Sequence, residues 1–133
     1  MEINEREELY SNYIRQMEKI ELMKECCQKN IENIYECDNE FNNIDNEVSR
    51  ILEDIRINNR DDEEFIKNID MITSDLNNAK YEVQMNINNK YDELVEQERD
   101  IAYMEEQCTA DYKNQLFALE NSDESNEGSV VWM

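Results

Sequence analysis

Asn58-Asn59-Arg60-Asp61-Asp62-Glu63-Glu64 stands between two long rhythms of apolar residues, and its reading decides the fold. Before it, Tyr10, Tyr13, Met17, Ile20, Lys24, Cys27, Ile31 and Ile34 step by alternating threes and fours. That is the heptad spacing of a helix packed along one seam, with Lys24 as its polar member. The step from Ile34 to Cys37 repeats a three, after which Phe41, Ile44, Val48, Ile51 and Ile55 resume the alternation. A three-residue insertion of this kind overwinds a seam locally without ending the helix. The spacing predicts a first helix over about 4–57. After the break, the seam reads Phe65, Ile69, Ile72, Leu76, Ala79, Val83, Ile87, Tyr91, Leu94, Ile101, Met104, Cys108, Tyr112 and Leu116, predicting a second helix over about 62–120. Within the break, 58–61, Asn tolerates the left-handed backbone that closes a helix. Asp61 is placed to cap the next helix, with Glu64 completing a capping box, and the acidic run suits the positive end of a helix dipole.

Two helices and a short turn predict an all-α antiparallel two-helix hairpin. In such a hairpin, facing residues have position numbers that add to a constant. Ile55 with Phe65, Ile51 with Ile69, Val48 with Ile72, Ile44 with Leu76, Phe41 with Ala79 and Cys37 with Val83 all add to 120. Ile34 with Ile87, Cys27 with Leu94, Ile20 with Ile101 and Tyr13 with Cys108 add to 121. Both values centre the turn near residue 60, where the independent break signal lies. In this register Ile51 is a core residue and Glu53 lies on the outer face. The hairpin occupies 1–120, and 121–133 is expected to be a flexible acidic tail closed by Val130-Val131-Trp132-Met133. Nineteen asparagines lower the intrinsic helix propensity, so the arms depend on mutual packing.

Composition narrows the function. The 133 residues carry 34 acidic and 13 basic side chains, a formal net charge of −21. They include no histidine, no proline and one glycine, Gly128. A sheet fold would need turn residues every 8–12 positions or so. Without histidine there is no Ser-His-Asp or Cys-His catalytic arrangement and no His-ligated zinc. Without a Gly-rich loop there is no phosphate cradle. The chain is therefore read as non-enzymatic, with no cofactor and no metal site. Its charge repels nucleic acid phosphates and anionic membranes. No apolar run is long enough for membrane insertion, and the N-terminus lacks the features of a signal peptide. A cytoplasmic location is expected, or co-export with a partner by a route that reads no signal peptide. Cys26, Cys27, Cys37 and Cys108 contain no C-x-x-C pair, and the hairpin register separates Cys37 from Cys108. They are read as reduced thiols, with Cys27, Cys37 and Cys108 filling the core.

Several apolar side chains fall off the seam. Ile66, Met71, Tyr81, Met85, Val95 and Tyr103 lie along the second arm, where Tyr and Met suit a contact with a further helix. They are the candidate partner-binding residues, and Trp132 in the tail is a candidate docking residue. A two-helix chain seldom buries enough surface alone, so a bundle completed by a partner, or by a second copy as a homodimer, is expected.

Asp61-Asp62-Glu63-Glu64-Phe65, followed by a long charged helix containing Glu96-Gln97-Glu98-Arg99, resembles the small helical-hairpin targeting chaperones of LXG toxins in the type VII (ESX) secretion system of Gram-positive bacteria. Such chaperones bind the helical N-terminal LXG domain of a toxin and help present it to the secretion machine. Some carry a Phe-x-x-x-Asp targeting element, and Phe41-Asn42-Asn43-Ile44-Asp45 fits that spelling, which makes Phe41 and Asp45 candidate targeting residues. The resemblance implies a chaperone or targeting factor with a helical protein partner. The rival readings are a self-associating structural coiled coil and an acidic nucleic-acid mimic of phage or mobile-element type.

Overall fold

The computed structural model describes residues 4–131, and the side chains of residues 4–122. They form two helices, α1 (Glu5–Asn58) and α2 (Glu63–Val131), which pack antiparallel against each other with no strand among the described residues. The fold is the expected all-α hairpin. Its ends are set by local chemistry. Asn4 caps α1, its Oδ1 accepting the Arg6 amide at 3.0 Å, and Glu5, Glu7 and Glu8 line the positive first turn.

The turn differs from the sequence reading in detail. Among the described residues no non-glycine residue has positive φ, so no left-handed Asn closes α1. Instead the Asn59 side-chain amide donates to the Ile55 carbonyl at 2.8 Å, and the Asn59 amide reaches the Arg56 carbonyl at 3.3 Å. The cap of α2 is Asp62 rather than Asp61: Asp62 Oδ1 accepts the Phe65 amide at 3.0 Å. With the cap at Asp62, position N3 is Phe65, which has no acceptor to return, so the expected Asp61–Glu64 box does not form. Helix α2 also continues to Val131, past the expected end near residue 120. Between them the chain has no proline and a single glycine, Gly128, so no strong breaker stops the helix earlier.

The chain divides into two compact units, one formed by residues 29–95 and the other by the segments up to 28 and from 96 onward. In the 29–95 unit, the inward face of α1 is Ile31, Ile34, Asp38, Phe41, Asp45, Val48, Leu52 and Ile55, all buried or half-buried. Those positions alternate threes and fours without a break. The expected shift through Cys37, Ile44 and Ile51 does not occur: Cys37 is exposed, Ile44 is 59% exposed and Ile51 46%. Overwinding a helix to follow apolar residues strains every turn it touches. Helix α1 keeps its heptad instead, and the two aspartates it turns inward find partners. Lys80 Nζ lies 2.6 Å from Asp45 Oδ2, and Gln84 Nε2 donates to Asp38 Oδ1 at 3.3 Å. A half-buried polar group with a partner avoids most of its desolvation cost.

The facing side of α2 in this unit is Ile66, Ile69, Thr73, Gln84, Ile87, Tyr91 and Leu94. Residues 74–83 are all exposed, and so are Phe65 and Ile72. The expected seam members Phe65, Ile72, Leu76, Ala79 and Val83 therefore lie outside the core, as the same heptad logic on α1 requires. Arg56, in the last turn of α1, pairs with Asp70, and Tyr35 donates its hydroxyl to Tyr91 at 3.2 Å.

In the other unit Ile20, Cys27 and Ile101 are buried. The Tyr13 ring stacks on Tyr112, with centroids 4.3 Å apart and planes 13° apart, and Tyr10 meets Tyr112 at 6.3 Å and 58°. The Tyr13 hydroxyl shares a 3.2 Å hydrogen bond with Thr109. Lys24, the polar seam member, is paired with Glu105. Tyr10 and Met104 are exposed rather than in the seam, while Leu9, outside the expected seam, is half-buried.

Each unit fixes the register by itself. The cross-helix contacts of both units have numbers adding to between 122, as for Tyr13 with Thr109 and Asp38 with Gln84, and 129, as for Lys24 with Glu105, all above 120 and 121. The two helices are offset from the expected pairing, and Ile51 does not face Ile69. Leu94, 2% exposed, is the most buried side chain among the described residues. Leu94→Ala is expected to lower stability by about 2–4 kcal/mol, whereas Ile51→Ala should cost less than about 1 kcal/mol. Thermal unfolding followed by circular dichroism checks both; equal losses would contradict the burial pattern.

Candidate helix-docking flank

Keeping the heptad through Asp38, Asp45 and Leu52 pushes the neighbouring apolar residues onto one flank. Cys37, Ile44 and Ile51 lie seven residues apart on α1, so they share a face. Val83 of α2, 40% exposed, borders the same side. Within the 29–95 unit these residues open a groove of about 400 Å³, lined by Ile34, Cys37, Phe41, Ile44, Val83 and Ile87, with Glu40, Asn86 and Lys90 at its rim. Lys90 is held to Glu93 at 3.5 Å on its own helix. Apolar side chains of this size pointing into water in a row form a contiguous patch, and such patches on small proteins mark contact surfaces. A second opening, of about 210 Å³, has a mixed lining: Val48, Leu52 and Leu76 together with Asp45, Ser49, Glu53, Arg56, Thr73 and Asn77.

The residues singled out from sequence fall elsewhere. Met71 and Tyr81 are each 66% exposed, Tyr103 62% and Met85 41%. Ile66 and Val95 are half-buried. None of the six lines the groove. Met71 and Met85, two heptads apart, share one face of α2; Tyr103 belongs to the other unit. Phe41 is half-buried and lines the groove, while Asp45 is turned inward to Lys80, so the two ends of the Phe-x-x-x-Asp element face different surroundings. Trp132 lies outside the described residues. The groove residues Cys37, Ile44 and Val83 were assigned to the core in the sequence reading. The signal that could have found them is the unbroken heptad through Asp38 and Asp45, which apolar counting passes over.

Among the described residues, no group of three or more Cys, Asp or Glu could hold a metal ion, and no helix is long and apolar enough to cross a membrane. No protein-family model, no curated protein and no solved structure matches the chain.

The four cysteines are thiols in unlike settings. Cys37 is exposed in the groove, and so is not the core filler expected; Cys26 is exposed and Cys27 is buried. Cys108 is intermediate, its thiol donating to Gln16 Oε1 at 3.2 Å. Burial, then the carboxylate of Glu98, then Cys26 push the Cys27 thiol above its ordinary pKa. A raised pKa leaves less thiolate at mildly alkaline pH, and the thiolate is the nucleophile. Iodoacetamide should therefore label Cys26 and Cys37 of the folded protein well before Cys27. Time-resolved mass spectrometry checks the order, and early labelling of Cys27 would contradict it.

Proposed function

We propose that the protein is a non-enzymatic binding partner that offers the groove of the 29–95 unit to a helix of another protein. The observation that carries this reading is the row of Cys37, Ile44 and Val83 facing water beside Phe41. Helix-in-groove recognition uses apolar anchors at heptad-like spacing, and the groove provides their counterpart. Binding would bury the flank and turn two packed helices into a bundle of three or more. Within that class, the protein acts as a targeting chaperone for the helical N-terminal domain of an LXG toxin in type VII secretion. The support for this narrower reading is the resemblance carried by Asp61-Asp62-Glu63-Glu64-Phe65 and Phe41-Asn42-Asn43-Ile44-Asp45.

The test is co-expression with the N-terminal domain of an LXG toxin encoded in the same genome, followed by co-purification. Ile44→Asp and Val83→Asp should each abolish recovery of the complex, while helicity survives because both side chains are exposed. Tyr81→Asp with Met85→Asp should leave it intact. In the complex, alkylation of Cys37 should slow at least about tenfold while Cys26 is unaffected. Recovery undiminished by Ile44→Asp would sink the groove as the docking surface. Failure of every such toxin domain to bind would sink the type VII reading.

A further inference from the structure

The rim of the groove carries a carboxylate on its α1 edge and an ammonium on its α2 edge. Glu40 stands at its α1 edge; beyond the groove, Glu47 and Asp54 follow at seven-residue intervals on the same face of α1, all three exposed, with Arg50 between the last two. At 1.5 Å per residue these carboxylates are spaced by about 10 Å. The α2 edge carries Asn86 and Lys90, and Lys90 is already matched by Glu93. The floor between the edges is Ile34, Phe41 and Ile87, with Cys37, Ile44 and Val83 on its shoulders.

We infer that the occupant of this groove is an amphipathic helix of another protein carrying Lys or Arg every seventh residue along one edge of its apolar seam. This rests on the reading of the groove as a docking site. A helix lying in the groove beside α1 meets the Glu40, Glu47 and Asp54 edge once per heptad, so its charges must repeat with the same period to match them. Its other edge faces Asn86 and a paired Lys90 and carries no such demand. A second copy of the chain is the poorer occupant, because each copy brings a net charge of −21 to the contact. Rim charges of this kind govern choice of partner and association rate more than they add affinity.

The test uses synthetic helical peptides about four heptads long, with leucine in the seam and either Lys or Glu every seventh residue along one edge. A third peptide has the Lys version's composition with the seam scrambled. Binding to the full chain is read by fluorescence anisotropy at low and at physiological salt. The Lys-edged peptide should bind at least about tenfold more tightly than the Glu-edged one, and added salt should narrow that gap. Glu40→Lys, Glu47→Lys and Asp54→Lys combined should reverse the preference. Glu18→Lys, Glu21→Lys and Glu25→Lys combined make the same change in net charge within the other unit and should not reverse it. Circular dichroism of each variant establishes that the helices persist. Equal binding of both seam peptides to the parent would overturn the charged-edge inference and leave the docking site standing. Binding of the scrambled peptide as tightly as the Lys-edged one would overturn it as mere charge attraction. If neither seam peptide binds, or if Ile44→Asp leaves binding unchanged, the docking site itself falls. Self-association in sedimentation that the Lys-edged peptide disperses would make a second copy the occupant and overturn the inference.

Discussion

The ion pair between Asp45 and Lys80, 2.6 Å long in the 29–95 unit, joins an exposed lysine of α2 to a half-buried position of α1 where a packed hairpin would ordinarily place an apolar side chain. Its direct contribution to stability is small, since partly exposed pairs are worth roughly 0–1 kcal/mol. Its effect on register is larger. Sliding one helix along the other would set the Asp45 carboxylate against apolar neighbours, and an unpartnered half-buried charge costs more than the pair gains. Gln84 with Asp38 in the same unit, and Lys24 with Glu105 in the other, repeat the arrangement. Polar seam positions of this kind trade stability for a single register.

The exposed flank follows from that choice. A helix has one face per heptad to give to its partner, and α1 gives Asp38, Asp45 and Leu52 a share of it. Cys37, Ile44 and Ile51, one position earlier in each heptad, are rotated outward by about 100° and cannot also be buried by α2. On α2 the stretch 74–83 lies wholly exposed, and it supplies Val83 to the groove. The polar seam and the apolar flank are two results of one helical rotation, which links the packing of the hairpin to the surface it offers.

Much of the fold was legible in the sequence. The two helices, their antiparallel pairing and the turn near residue 60 follow from apolar rhythm interrupted by Asn58-Asn59-Arg60-Asp61-Asp62. The register was not, because two seams fit the spacing on α1. One runs through Cys37, Ile44 and Ile51 and is the more apolar; the other runs through Asp38, Asp45 and Leu52. Apolar counting selects the first. The second prevails because it keeps the heptad and because Lys80 and Gln84 are placed to receive the aspartates, a pairing that exists only once the helices meet. The groove was not legible for the same reason. Met71, Tyr81, Met85 and Tyr103 are exposed as expected, yet the groove is built from residues that the apolar seam had claimed. The cap at Asp62 was missed by one residue because Asp61 and Asp62 carry the same chemistry.

Whether the polar or the apolar residues of α1 face α2 can be measured by disulfide trapping. In a variant with Cys26, Cys27, Cys37 and Cys108 replaced by serine, one pair of cysteines is introduced as Asp38→Cys with Gln84→Cys, both half-buried on the facing sides of the two helices, and separately another as Ile44→Cys with Leu76→Cys. A disulfide forms only where the backbones approach within about 7 Å. Mild oxidation of dilute protein should close the 38–84 pair more readily within one chain than the 44–76 pair. Rapid closure of the 44–76 pair, with the 38–84 pair remaining reduced, would put the apolar residues in the seam and contradict the exposed flank.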